Sequence, residues 1–168
     1  DVRPLDQPAQ AGHHLGRATG LLRGALGLLE PECRRLGVAV QLQVEPADLQ
    51  LMADPVALEQ IAHNLLSNAL QALAAVPAGG RRLRLQARLE GGSAVVEVTD
   101  SGAGLSPDVL PHLFEPFFTT RKGGLGLGLS LCESLATGMG GSLVGAPAAP
   151  RGAVFTLRLP LAPAAPLP

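Results

Sequence analysis

Residues 58–73, LEQIAHNLLSNALQAL, constrain the fold more than any other stretch of the chain. Asp54 followed by Pro55 predicts a helix start: a capping carboxylate, then a proline whose missing N–H costs nothing at the first helical position. Leu58, Ile61, Leu65, Ala69 and Ala72 then recur at helical spacing, and Leu66, Leu70 and Leu73 widen the stripe. Gln60, Asn64, Asn68 and Gln71 stack in one row on another face. Asparagine is a mediocre helix former, because its side chain competes with the backbone for hydrogen bonds, so two of them one turn apart ask for a reason. One reason is a solvated helix face. Another is a metal–nucleotide site, in which two amide oxygens act as neutral, hard donors to a Mg²⁺ already shared with phosphates. The helix alone does not choose between them.

The bulk composition narrows the field. At 168 residues, 46% hydrophobic and 16% charged, the chain fits one globular domain, or one domain with an appended helix. A formal net charge of −1 offers no broad basic surface for nucleic acid. Aromatics at 2%, with no Trp or Tyr, argue against base-stacking platforms and carbohydrate clefts. The apolar runs are too short to cross a bilayer, and the first residues carry no secretory leader pattern, so no membrane contact is expected. Cys33 and Cys132 lack metal-site spacing and read as reduced, buried thiols of a reducing compartment.

Taken in order, residues 1–10 read as a linker. Residues 13–36 carry a leucine-rich helical pattern closed by Gly37; Gly20, Gly24 and Gly27 weaken it, and Pro31 should kink or divide it. His13 and His14 invite a catalytic reading, but no acidic neighbour follows to orient them, and exposed residues at a helix start are the better account. Alternation predicts strands at 38–44, 49–53, 82–89, 94–99, 142–145 and 153–159. Gly91-Gly92 marks a hairpin, and the Arg82, Arg84 and Arg88 row reads as a solvated cationic strand face.

Asp100 closes one of these strands, followed by Gly102 and Gly104, a pattern that lets a flat ring approach the backbone but also fits an ordinary turn. Three of the four Phe residues then crowd into 114–118, as if pinning a mobile segment to the core, and Arg121 and Lys122 follow. Gly124, Gly126 and Gly128 run into a helix through about Met139; freed backbone N–H groups and a helix N-terminus together favour a polyphosphate. The connection over 105–124 is long for a compact domain, as lids and binding loops are. Neither a P-loop, a dinucleotide fingerprint nor a zinc motif occurs. The Pro/Ala-rich end, 162–168, reads as a tail.

Four motifs therefore stand in one order: NLLSNA at 64–69, DSGAG at 100–104, FEPFFTTRK at 114–122 and GLGLGLS at 124–130. Together they resemble the ATP-binding catalytic domain of bacterial sensor histidine kinases, in the gyrase/Hsp90/histidine kinase/MutL superfamily, and GAVFTLRLP at 152–160 resembles that family's last strand. The resemblance covers roughly 38–161. It implies an α/β fold of the Bergerat type, a two-layer α+β sandwich with a mixed five-stranded sheet and three helices on one face. ATP and Mg²⁺ are the implied cofactors. Asn68, and with it Asn64, would hold the phosphate-bound Mg²⁺; Asp100 would accept the exocyclic amine of adenine, with Gly102 and Gly104 letting the ring lie close. Arg121, with Lys122, would reach the terminal phosphates from a lid, and Gly124, Gly126 and Gly128 would cradle them. The implied partners are the kinase's own dimerisation and phosphoacceptor hairpin and a response regulator receiver domain, in the cytoplasm, with the parent protein anchored or not in the inner membrane.

Three positions depart from the family pattern. Leu125 replaces a usual threonine, Gln71 stands where many relatives place a phosphate-touching lysine, and neither His13 nor His14 has the context of an acceptor histidine. Residues 1–37 are accordingly expected to be a linker and the end of the acceptor-bearing helical region, and the chain is expected to bind Mg·ATP without phosphorylating itself. Two other functions compete: an ATP hydrolase of the gyrase or Hsp90 type, and a degenerate binding module. The hydrolases place a glutamate where Asn64 stands, and an amide cannot activate water; the module would have lost Asp100, Asn68 or the glycines, and all are present.

Overall fold

The computed structural model describes residues 14–118 and 128–161. Strand β1 (His14–Arg17) leads into helix α1 (Ala18–Leu36), then β2 (Ala39–Glu45), β3 (Gln50–Ala53), α2 (Pro55–Ala74), β4 (Arg82–Glu90), β5 (Ser93–Asp100), α3 (Gly128–Gly138), β6 (Ser142–Pro147) and β7 (Ala153–Pro160). Five strands form one mixed sheet in the order β2-β4-β5-β7-β6. Its β2–β4 pair is parallel, joined through α2, and the other pairs are antiparallel. Three helices and a five-stranded mixed sheet are the expected two-layer α/β sandwich.

Helix α2 starts as its sequence dictates: Asp54 Oδ1 accepts from the backbone N–H of Val56 at 2.9 Å and of Ala57 at 3.4 Å, with Pro55 in the first turn. The apolar stripe packs against β4 and β5, whose inward residues alternate: Leu83, Leu85 and Ala87 on one, Ala94, Val96 and Val98 on the other. Leu66 and Leu73 are fully buried in this core, with Leu157 and Leu159 of β7. On the outer face, Arg88 bridges to Glu97 and Glu90, and Arg158 to Glu90. Val95, between Arg88 and Arg158 in register, is fully buried there, as their aliphatic stems can cover it.

The N-terminal part differs from expectation in two ways. Residues 14–17 are not helical: β1 pairs antiparallel with β3 in a separate two-stranded sheet, and the backbone N–H of Ala18 donates to Leu49 O at 2.8 Å. Those pairings are tertiary, and no local pattern announces them. Pro31 does not divide α1, which runs unbroken for 19 residues to Gly37, whose φ of 66° ends it. The buried face of α1, including Leu22, Ala25 and Cys33, shares one core with α2 and the sheet.

Candidate nucleotide-binding site

Asp100 is the one buried charged residue among the described residues, 4% exposed at the end of β5. Strand alternation turns its side chain to the helix layer with Val98 and Val96. Its Oδ1 accepts from the Gly102 backbone N–H at 2.8 Å. Burial pushes the carboxyl above the ordinary carboxylate range, while the backbone N–H groups of Gly102 and Ala153 pull it back down. The group is thus desolvated yet fixed, which suits a carboxylate that receives a ligand's N–H rather than water.

Glycines are required around it. A Cβ on Gly102 would stand 2.9 Å from both Ala72 O and Asp100 Oδ1. The strand end therefore rests on the backbone of α2 at Ala72, one turn after Asn68. Gly104 has φ +88°, and a Cβ there would lie 2.9 Å from Gly152 O.

The two asparagines have different surroundings. Asn64 Nδ2 donates to Gly128 O at 3.4 Å, and its Oδ1 accepts from Gln60 Nε2 at 3.2 Å. The buried Cys132 thiol donates to Ile61 O at 3.9 Å; burial raises that thiol's pKa, and the neighbouring Asn64 lowers it. Asn64 is therefore a clasp between α2 and the first residue of α3. Half-buried Asn68 has no side-chain hydrogen bond among the described residues, so its amide oxygen remains available to a ligand. Among the described residues no three His, Cys, Asp or Glu side chains cluster. A neutral amide with phosphate oxygens is a donor set suited to Mg²⁺ that arrives with a nucleotide.

The predicted site residues thus divide. Asp100, Gly102 and Gly104 come together against α2, and Asn64 meets Gly128, while Arg121, Lys122, Gly124 and Gly126 lie outside the described residues. The crowded phenylalanines are only partly pinned. Phe114 packs against the core and Phe118 lies against His112 with ring centroids 5.3 Å apart, but Phe117 is 75% exposed with φ 66°. Gln60, Cys132 and Gly152 are not among the site residues read from the sequence. The i,i+4 spacing of Gln60 and Asn64 was visible as part of the polar row, whereas Cys132 and Gly152 reach the site only through the fold.

The chain matches the family described as Histidine kinase-, DNA gyrase B-, and HSP90-like ATPase over residues 53–163. It is 35% identical over 141 residues to the C4-dicarboxylate transport sensor protein DctS of Rhodobacter capsulatus, covering 84% of this chain and 22% of that protein. It is 42% identical over 144 residues to the two-component sensor PprA of Pseudomonas aeruginosa, covering 83% of this chain and 16% of that one. The chain thus spans about a fifth of the length of these relatives. A nucleotide-free structure of the catalytic domain of histidine kinase ThkA superposes with a TM-score of 0.80 at 26% identity, covering 89% of this chain and 98% of that one. Full-length ShkA in complex with AMPPNP superposes at 0.76 and 31% identity, covering 93% and 33%. The chain belongs to the Histidine kinase-, DNA gyrase B-, and HSP90-like ATPase family, and within it to the ATP-binding catalytic domains of sensor histidine kinases.

Proposed function

We propose that this domain binds Mg·ATP and donates the γ-phosphate to a histidine on a dimerisation hairpin, from which a response regulator receiver domain takes it. The observation that carries the reading is the strand end bearing Asp100, seated on α2 one turn from Asn68. Asp100 accepts the adenine amine, and Gly102 and Gly104 leave the ring room beside the strand. Asn68 offers its amide oxygen to the cation, and Asn64 either joins it or, as its bonds to Gln60 and Gly128 favour, sets the spacing of α2 and α3. Mg²⁺, when bound, neutralises phosphate charge. Arg121, Lys122 and the glycines at 124, 126 and 128 are assigned to the phosphates. Asn64 also weakens a hydrolase reading, since no carboxylate stands there to activate water.

We assign residues 38–161 to the catalytic unit. Helix α1 precedes that unit and packs on it through a core shared with α2 and the sheet. Among the described residues no helix is long and apolar enough to cross a membrane. We place the domain on the cytoplasmic side, where ATP is available. Calorimetric titration of the chain with ATP, with and without Mg²⁺, tests the reading. Saturable 1:1 binding strengthened by Mg²⁺ is expected, and no binding by the wild-type chain would overturn it.

A further inference from the structure

Alternation along β5 turns Asp100 toward the helices and its neighbours Thr99 and Ser101 toward the opposite face of the sheet. On that face, at the same end of the sheet, lies a cavity of about 590 Å³ between the α2–β4 loop and the β6–β7 turn. Arg82 and Arg84 of β4 and Arg151 of the turn all line it. Elsewhere on this face the arginines are neutralised: Arg88 by Glu90 and Glu97, Arg158 by Glu90. Among the described residues the cavity has no such counterion. Its one acidic lining residue, Asp100, is buried with its carboxylate engaged by Gly102. Arg84 reaches only the neutral amide of Gln43, at 3.2 Å, and among the described residues neither Arg82 nor Arg151 has an ion pair.

The cavity wall is held in place before any ligand arrives. Ser101 Oγ donates to Gly80 O at 2.9 Å and accepts from the Arg82 backbone N–H at 2.8 Å, tying the loop to the strand end. The Arg81 guanidinium donates to Leu36 O at 2.8 Å and to Val76 O at 2.6 Å, fixing the loop's start. Val40, Val76 and Pro77 add apolar lining. Three uncompensated guanidinium groups around a preformed, partly apolar cavity of ligand size select an anion with an organic body. We propose that this cavity is a second small-molecule site, separate from the nucleotide site, that takes an organic phosphate through Arg82, Arg84 and Arg151.

The test uses 2-naphthyl phosphate as the probe. The chain has no Trp or Tyr, so naphthyl emission can be followed by anisotropy without interference. With Mg·AMPPNP saturating the nucleotide site, the wild-type chain should bind the probe saturably. The Arg82→Gln/Arg151→Gln variant should bind at least about tenfold more weakly, and Arg151→Gln alone should show part of that loss. The Arg34→Gln/Arg35→Gln variant, which removes the same charge from the exposed end of α1, should bind like wild type. The proposal is overturned by no saturable binding up to about 10 mM, by unchanged affinity in Arg82→Gln/Arg151→Gln, by equal weakening in the α1 control, or by displacement of the probe on adding Mg·AMPPNP.

Discussion

Gly152 and Asp100 are packed backbone to backbone: a Cβ at position 152 would overlap the carbonyl oxygen of Asp100, and Gly152 holds φ +98°. The residue before the last strand thus shapes the strand end that carries the buried Asp100 carboxylate, although the two are 52 positions apart in the chain.

Gly152→Ala should therefore cost about 3 kcal/mol or more, since both the backbone conformation and the space oppose a side chain. Gly24→Ala is the contrasting case. It lies inside α1 with nothing within 4 Å of an added Cβ, and should stabilise the chain by roughly 0.5–1 kcal/mol through helix propensity. Urea unfolding of both variants measures the difference, and similar values would mean that the Gly152 packing is not a constraint.

Asp100→Asn should lose roughly 30- to 100-fold in ATP affinity, because an amide presents an N–H to the adenine amine in one orientation and a weaker acceptor in the other. Its stability should move the other way. Burial raises the carboxyl pKa in the folded chain, so the folded state holds this proton more tightly than the unfolded state. The Asp100 contribution to stability therefore falls as pH rises from the ordinary carboxylate range through the raised value, and stays lower above it. Calorimetric melting of both chains across that window should show this fall in the wild type, with the Asp100→Asn chain lacking it.

Asn68→Ala should abolish the difference between ATP affinities measured with and without Mg²⁺, leaving the Mg²⁺-free affinity within about threefold of wild type. Asn64→Ala removes the link to Gly128 and should cost about 1 kcal/mol of stability. Calorimetric titrations and urea melts separate the two effects. A Mg²⁺ dependence that survives in Asn68→Ala and disappears in Asn64→Ala would reverse the assignment.

Incubating the 168-residue chain with Mg·ATP should leave no acid-labile phosphate on it, because neither His13 nor His14 sits in a segment resembling an acceptor. Mass spectrometry under alkaline conditions, with an added histidine-bearing hairpin as the positive arm, distinguishes a silent acceptor from a silent kinase.

Several features were legible because they are local. The start of α2 follows from Asp54 and Pro55, its polar row from residue spacing, the hairpin of β4 and β5 from Gly91-Gly92, and the end of α1 from Gly37. The helix reading of residues 14–17 failed because β1 exists only through its register with β3. Pro31 failed as a helix divider because the buried face of α1 on either side outweighs the lost donor and the ring's crowding of the preceding turn.

The amino-acid sequence by itself determined the order of elements from β2 onward, the pairing of a capped amphipathic helix with alternating strands, and the residue types available at the site, since caps, periodicity and glycine turns act over a few residues. Tertiary structure alone decided three things. It tied Asn64 to Gly128 while leaving Asn68 without a partner among the described residues. It made Gly152 a neighbour of Asp100. It left Arg82, Arg84 and Arg151 around one cavity without the carboxylates that neutralise Arg88 and Arg158. Burial and proximity between distant segments arise only when the sheet and helices close on one another, and desolvation, steric exclusion and unpaired charge come into being with that closure.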